Sequence, residues 1–378
     1  MQYLVYIVAF LSSLAQSLVA PAMLLLAINR FAAENFHLGL LAACGSGVYT
    51  LVALSSGHIS ERLPIRSQLA ASSFFLAVSY FLMFSAPSFL VLLLLNTLNG
   101  ACTGLLWAPL EGVLSRLSKP ARMRRNVGRY NLSWSLGIAA GFLLYSYMTD
   151  IAFYAGSALI LVTAAILLFL RAPHAGLHPG GADCKGAERN DDPHHRFFLV
   201  IAWSALFATY VGVAAVRQLF PKLSTELHIS ASVMGRIYAV GLIGQTIVMA
   251  AMGRFQRWHY RKAPFFVGEI GMALGTLLIA ISVAPDMLAA GHFVVGASMA
   301  VLYSCSLFYS MQYPARAHHN TSVHEAIIGT AAMTPVLLGY VADRCRFTPL
   351  SYYIGSAVAL VFLGMHVALL GKRKKALR

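Results

Sequence analysis

The sequence predicts an all-α integral membrane protein, with twelve transmembrane helices arranged as two pseudo-symmetric six-helix bundles. Three observations predict it. The 378 residues are 58% hydrophobic and only 11% charged, whereas soluble domains carry roughly 25% charged residues. So much apolar surface needs lipid as its solvent. Apolar runs of about 20 residues recur, the length at which a helix crosses a hydrocarbon core. Finally, Gly39 and Gly235, Gly57 and Gly253, and Gly100 and Gly296 are each separated by 196 residues. Internal duplication of a six-helix unit is a transporter signature.

The runs lie at about 3–28, 37–56, 67–86, 88–116, 128–149, 150–171, 197–220, 230–253, 263–284, 287–312, 322–342 and 350–370. Each is expected to be helical, because a backbone in lipid must satisfy its own hydrogen bonds. The first has no basic stretch before it and is too long for a signal-peptide core, so it reads as a retained span. Residues 172–196, "APHAGLHPGGADCKGAERNDDPHHR", are polar and rich in Gly, Pro and His, the composition of a linker. The expected organisation is therefore bundle 1–171, linker 172–196, bundle 197–371 and basic tail 372–378. Within the repeat, "LLW" (105–107) answers to "VLY" (301–303) and Arg66 to Lys262.

The net charge of +15 is spread over several loops, which argues against nucleic acid as a partner. Its placement fits a positive-inside bias. Loops on one side hold Arg62, Arg66, six basic residues from Arg116 to Arg129, Arg196, Arg254, Arg257, Arg261, Lys262 and the tail "GKRKKALR". The other side holds Arg30, Lys222, Arg344 and Arg346. Both termini are thus expected in the cytoplasm, with the basic tail near anionic lipid headgroups. The five cysteines are scattered and show no pairing framework.

"GHISERLPIR" (57–66) follows the second span. It resembles the loop motif Gly-x-x-x-Asp-Arg-x-Gly-Arg-Arg of the major facilitator superfamily. Gly57, Arg62 and Arg66 match, Glu61 replaces Asp, and Pro64 stands where the motif has Gly. The second-half counterpart, "GRFQRWHYRK" (253–262), keeps Gly253, Arg261 and Lys262 but places Arg257 at the acid position. The resemblance covers essentially the whole chain. It implies two bundles around a central cavity with alternating access, the cavity lined by helices 1, 2, 4, 5, 7, 8, 10 and 11. It also implies a cytoplasmic gate: Glu61 facing a helix N-terminus across the interface, and Arg62 pairing with an acid low on the fourth helix, here Glu111. The alternative for this loop is a topology-setting connector with solvated charges. The fourth span lacks the family's usual arginine, with Asn96 in its place, and "GIAAG" (137–141) lacks the antiporter proline.

Polar groups in hydrocarbon are costly and usually face an interior. At helical spacing, Asn96, Asn99, Thr103 and Trp107 share a face of the fourth span and lead to Glu111. In the seventh span, Trp203, Tyr210 and Arg217 align. Tyr238 and Gln245 do so in the eighth, and His292, Gly296, Met299, Tyr303 and Ser310 in the tenth. Gln16, Asn131 and Trp134 complete a polar and aromatic set. Each could instead serve interhelical packing or the membrane interface. Arg217 and Arg236 could hold an anionic substrate group or snorkel to headgroups. They lean the substrate toward an anionic or amphipathic solute. Proton coupling would need a titratable group, for which His324, Glu325 and His292 are the candidates. Glu269 is a poorer one. The histidine pairs in loops lack metal-site geometry, and there is no phosphate-binding loop, so neither metal nor cofactor is expected.

The function expected is secondary active transport of a small organic solute across the cytoplasmic (inner or plasma) membrane by a monomer. Two alternatives stay open. One is a transport-inactive scaffold or sensor with the same fold; the other is a membrane-embedded enzyme, for which the sequence supplies no convergent catalytic set.

Overall fold

The computed structural model describes residues 2–118, 123–169, 193–255, 257–312 and 314–376. At 57, 58, 60–62, 115, 116, 123, 124, 193, 314–319 and 370–376 only the backbone is described. The helices are α1 (Gln2–Phe31), α2 (Asn35–Arg62), α3 (Ile65–Phe84), α4 (Phe89–Leu117), α5 (Met123–Tyr145), α6 (Ala152–Leu168), α7 (Pro193–Glu226), α8 (Ala231–Arg254), α9 (Ala263–Ile281), α10 (Pro285–Met311), α11 (Pro314–Ala332), α12 (Pro335–Arg344) and α13 (Leu350–Ala376). No strand occurs among the described residues.

Eleven spans are long and apolar enough to cross a membrane, with Asn320–Arg344 counted as one across the α11–α12 break. Pro335 causes that break. It has no N–H to donate and its ring collides with the carbonyl four residues back. The backbone turns through Met333 and Thr334 instead, with Thr334 N–H bonded to Ala331 O at 3.1 Å. The twelfth helix, α5, is not among the eleven. Asn126, Arg129, Asn131, Ser133 and Ser135 make it too polar by composition. The helices also run beyond the expected apolar limits. α7 begins at Pro193, inside the stretch expected to be linker, because proline suits a helix's first position and a helix can continue past the hydrocarbon.

The bundle has two ends. At the terminal end, the start of α1 meets the end of α4, Gln2 Nε2 donating to Leu117 O at 2.6 Å. At the far end, Arg30 of α1 donates to Phe84 O of α3 at 3.2 Å. α1 packs mainly on α5 and α6, α2 on α4, and α3 on α4 and α6. The later half repeats this with α8 on α10 and α9 on α10 and α13. Between the halves, α5 packs on α8, and α2 on α11 and α12.

The glycine interval has a packing cause. A Cβ on Gly100 would strike the Gly45 carbonyl, so α4 and α2 cross there backbone to backbone. A Cβ on Gly296 would strike the Gly241 carbonyl in the equivalent α10–α8 crossing. Gly45 and Gly241 stand at the same interval as Gly100 and Gly296. The far-end pair behaves alike: Gly39 abuts Pro335, and Gly235 abuts Phe142 of α5 and Ser146 just beyond it. Both are close approaches between halves.

Packing between the halves is uneven along their length. On α2, Asn35, Leu38, Gly39, Leu41 and Ala42 are buried, but from Ala43 to Ser55 no residue is. α2 is therefore clamped over its first two turns and only loosely covered beyond them.

Candidate functional site

The cavity wall starts from the α2–α4 crossing. Because the glycines bring the two backbones together, Asn96 reaches α2 and donates from Nδ2 to Leu41 O at 2.7 Å. Beside it opens a cavity of about 190 Å³ accessible to water, bordered by Ser46, Tyr49, Asn96, Asn99, Thr103 and Gln218 among others. Thr103 turns its hydroxyl back to Asn99 O at 2.7 Å. Gln16, half-buried on α1, has a side-chain nitrogen without a hydrogen-bond partner among the described residues. The other side of the interface is drier. Trp134 of α5 sits edge-on to Tyr303 of α10 with centroids 6.0 Å apart, its indole N–H held by Asn131 Oδ1 at 3.1 Å. Ser135 of α5 shares a hydrogen bond of 2.7 Å with Thr246 of α8, and Gln245 Nε2 lies 3.4 Å from the same hydroxyl.

The expected proton candidates separate in space. Glu111 of α4 is exposed and Glu325 of α11 is a third exposed. Tyr49 of α2, Tyr130 of α5, Tyr210 of α7 and Tyr303 of α10 each lie within electrostatic reach of one or both. Trp107 adds an edge contact to Tyr130 at 6.4 Å. His324 is fully buried. Its Nδ1 pairs with Ser306 Oγ at 2.8 Å, and its Nε2 lies 4.0 Å from Glu325 Oε1. His292 is elsewhere. It is buried among Phe220 (4.3 Å) and Tyr238 (5.5 Å), with Nδ1 2.8 Å from Leu288 O.

Arg217 is half-buried, with Nη2 3.4 Å from Gln245 Oε1, and lines a separate space of about 30 Å³ with Tyr238 and His292. Such a space has room for about two waters. Tyr238 donates to Arg217 O at 2.8 Å. Arg236 is exposed. Neither arginine borders the 190 Å³ cavity.

At the far end, Asp343, in the last turn of α12, accepts the backbone N–H of Asn35 at 3.1 Å and of Phe36 at 2.7 Å. These are the first two residues of α2, whose N–H groups have no partner within the helix. Asn35 Nδ2 also donates to Asp343 at 2.8 Å and to Thr348 Oγ1 at 3.0 Å, and Thr348 donates to Glu226 at 2.7 Å. Lys222 pairs with Glu34 at 2.9 Å. A carboxylate of one half thus caps a helix of the other and suits the positive end of its dipole.

An all-helical bundle with this repeat has counterparts. The Major Facilitator Superfamily profile matches residues 5–323. The chain belongs to the Major Facilitator Superfamily. A comparison with curated protein sequences found no significant match. Among solved structures, it is similar to a bacterial homolog of the human lysosomal transporter Spinster in an inward-facing, unoccupied conformation (TM-score 0.73, 15% identity, covering 97% of this chain and 95% of that one). It is also similar to the nucleoside transporter NupG (0.73, 11%, 98% and 98%). A third is a POT family transporter in complex with 5-aminolevulinic acid (0.77, 10%, 98% and 96%). At such identities the likeness is one of fold.

In this superfamily member the loop with Pro64 is short. Leu63 (φ −117°, ψ 140°) and Pro64 (φ −55°, ψ 125°) join α2 to α3. Both are in extended regions that proline and its predecessor prefer, so the turn needs no glycine. Arg66, in the first turn of α3, is exposed. The side chains of Glu61 and Arg62, and the surroundings of Gly57, lie outside the described residues. The second-half loop has become aromatic. Tyr260 N–H donates to Tyr309 Oη at 2.8 Å, its own hydroxyl is 3.0 Å from His195 Nδ1, and His259 stacks on Phe308 at 3.9 Å.

Sequence reading missed Tyr49 and Gln218 in the cavity and Asp343 at the seal. Asp343 had left a signal: an acid in a helix's last turn opposes the dipole, so it needs a partner elsewhere. It also undervalued Glu269 and His366. They pair while fully buried, and His366 Nε2 bonds Ser204 Oγ at 2.8 Å, locking α9, α13 and α7 together.

Proposed function

We propose that this protein is a secondary transporter that moves a small organic solute by alternating access across a cytoplasmic membrane. The supporting observation is the Asp343 cap on α2, set beside the loss of burial from Ala43 to Ser55. One end of the interface is latched and the other is open. The basic residues cluster at the terminal end, which the positive-inside rule places in the cytoplasm, so the conformation is inward-facing with both termini cytoplasmic.

Turning outward requires the bundles to rock about the midplane. The Asp343 and Lys222 contacts part, and the terminal end closes. Glu61 and Arg62 then latch that side with Glu111, backed by Gly57 and Arg66. The solute contacts the polar face of α4 and the α5–α10 aromatics. Glu325, a third exposed and 4.0 Å from His324, is the group we favour to carry a coupling proton. His292, sealed in an aromatic cluster, is not so placed. The chain works as a monomer, with lipid as its surround.

The test is a thermal-shift screen of purified protein against a metabolite library, then flux of each hit into proteoliposomes with and without a pH gradient. Saturable flux supports the reading, and a faster initial rate with the gradient supports proton coupling. Hits that bind but never cross would instead favour a transport-inactive sensor.

A further inference from the structure

The internal repeat supplies a comparison within the molecule. The 190 Å³ cavity and the 30 Å³ space sit at equivalent helix crossings, α2 with α4 and α8 with α10. Gly45 and Gly100 border the first, Gly241 and Gly296 the second, and most of the other wall positions recur at the same interval. The side chains differ. Ala42 and Ser46 of the first half become Tyr238 and Leu242 in the second, and Asn99 and Thr103 become Val295 and Met299. The second crossing is thereby filled, with the Phe142 ring 4.6 Å and the His292 ring 5.5 Å from that of Tyr238. The first is left open and polar. A fold that packs one of these crossings nearly shut does not by itself leave a void in the other. The open space is a property of the residues around it.

The wall of that space carries amides and hydroxyls and, among the described residues, no charge. An ionic solute there would leave water without meeting a charge of opposite sign, which is costly. Amides and hydroxyls supply donors and acceptors without charge. Resting on the transporter reading, we propose that this first-half cavity is the solute site and that it takes an uncharged polyhydroxy compound, held between Asn99 of α4 and Gln218 of α7.

Asn99 Oδ1 and Gln218 Oε1 have no hydrogen-bond partner among the described residues. An unpaired buried polar atom is unfavourable, and with nothing holding those oxygens each amide can turn toward a guest. Thr103 donates its hydrogen to Asn99 O, so toward the cavity it accepts. These three oxygens suit the O–H groups of a polyol. Asn96, committed to Leu41 O through Nδ2, holds the wall in place. Because Asn99 belongs to the first half and Gln218 to the second, a solute bonded to both draws α4 and α7 together. That is the direction in which the cavity closes around it.

The probes share one ring and differ in charge: glucose, glucuronate and glucosammonium. Each is titrated into the purified full-length protein by calorimetry at about pH 6, where an amine is protonated. Glucose is expected to bind at least about tenfold more tightly than either ion. Asn99→Leu and Gln218→Leu each remove an amide at similar volume, and each should weaken glucose binding at least about tenfold. Ser46→Leu installs the second-half residue and should abolish it. Thermal unfolding shows which variants are folded, and Asn99→Ala and Gln218→Ala serve where a leucine variant is not. Tighter binding of either ion, no binding of any probe, or glucose affinity unchanged in both amide variants overturns the proposal. Flux of the same probes into proteoliposomes separates the site from the transport reading. Flux of an ion alone sinks the neutral site and leaves transport standing. Glucose binding that falls in the variants, without flux, leaves the site standing and sinks transport.

Discussion

Asp343 stands at the negative end of its own helix, an unfavourable place for a carboxylate, and is stabilised by the N-terminus of a helix in the other half. Asp343→Asn keeps the shape but removes the charge, and one of its two side-chain atoms can no longer accept. Hydrogen bonds to a charged group contribute about 1.5–3 kcal/mol each. Losing one such contact should shift the balance between inward- and outward-facing forms at least about tenfold toward outward. Labelling of Ser46→Cys in a cysteine-free background, by an impermeant thiol reagent applied at the far side, should rise accordingly. Unchanged labelling would mean that Asp343 only anchors α12. The Glu269–His366 pair is a different case. Both partners are fully buried, so His366→Ala leaves a lone carboxylate and should cost about 3–5 kcal/mol. The reading is a large fall in melting temperature in detergent. If stability holds, the carboxylate has found water or another partner. Neither residue could be weighed from sequence, since each depends on a partner roughly a hundred or more positions away.

Helices were legible as elements because apolar length and hydrogen-bond economy in lipid leave a segment few options. α5 and the α11–α12 break mark where that logic weakens. α5 is polar because its hydroxyls bond the helices around it, Ser133 donating to Tyr6 O of α1 and Ser135 sharing a bond with Thr246 of α8, and Pro335 interrupts a span whose hydropathy is continuous. The glycine interval carried more than a repeat. It located the crossings where two backbones touch. Gly296→Ala should therefore destabilise by about 3 kcal/mol through overpacking against Gly241. Gly253→Ala, with no neighbour within 4 Å of the added carbon, should be neutral or gain up to about 1 kcal/mol from helix propensity. Paired melting curves in one detergent check this, and equal shifts would show that helix propensity alone is at work. The loop "GHISERLPIR" was read as a gate from its charges. What the backbone adds is that Pro64 serves the turn as well as glycine would.

For the molecule as a whole, the consequence is a division of labour between its two ends. The far end is sealed by a network specific to Asn35, Asp343, Thr348 and Glu226. The terminal end is where the loop motif and the basic residues sit. A transporter built this way should label at cavity positions from the cytoplasmic side at rest and become protected there when its solute is bound. Labelling that a transported solute leaves unchanged would argue against closure of that end. Sequence alone determined the lipid-embedded all-helical class, the two six-helix halves and the polar faces of α4 and α10. These follow from composition, periodicity and spacing along one chain. It leaned the solute toward an anionic or amphipathic compound, because arginines are visible in sequence while their surroundings are not. Only the tertiary structure decided which polar groups border the open space, Ser46, Tyr49 and Gln218 beside Asn96, Asn99 and Thr103. Helical periodicity says which residues share a face but not what that face meets, and the charge of a site is the sum over helices that meet only when the chain has folded.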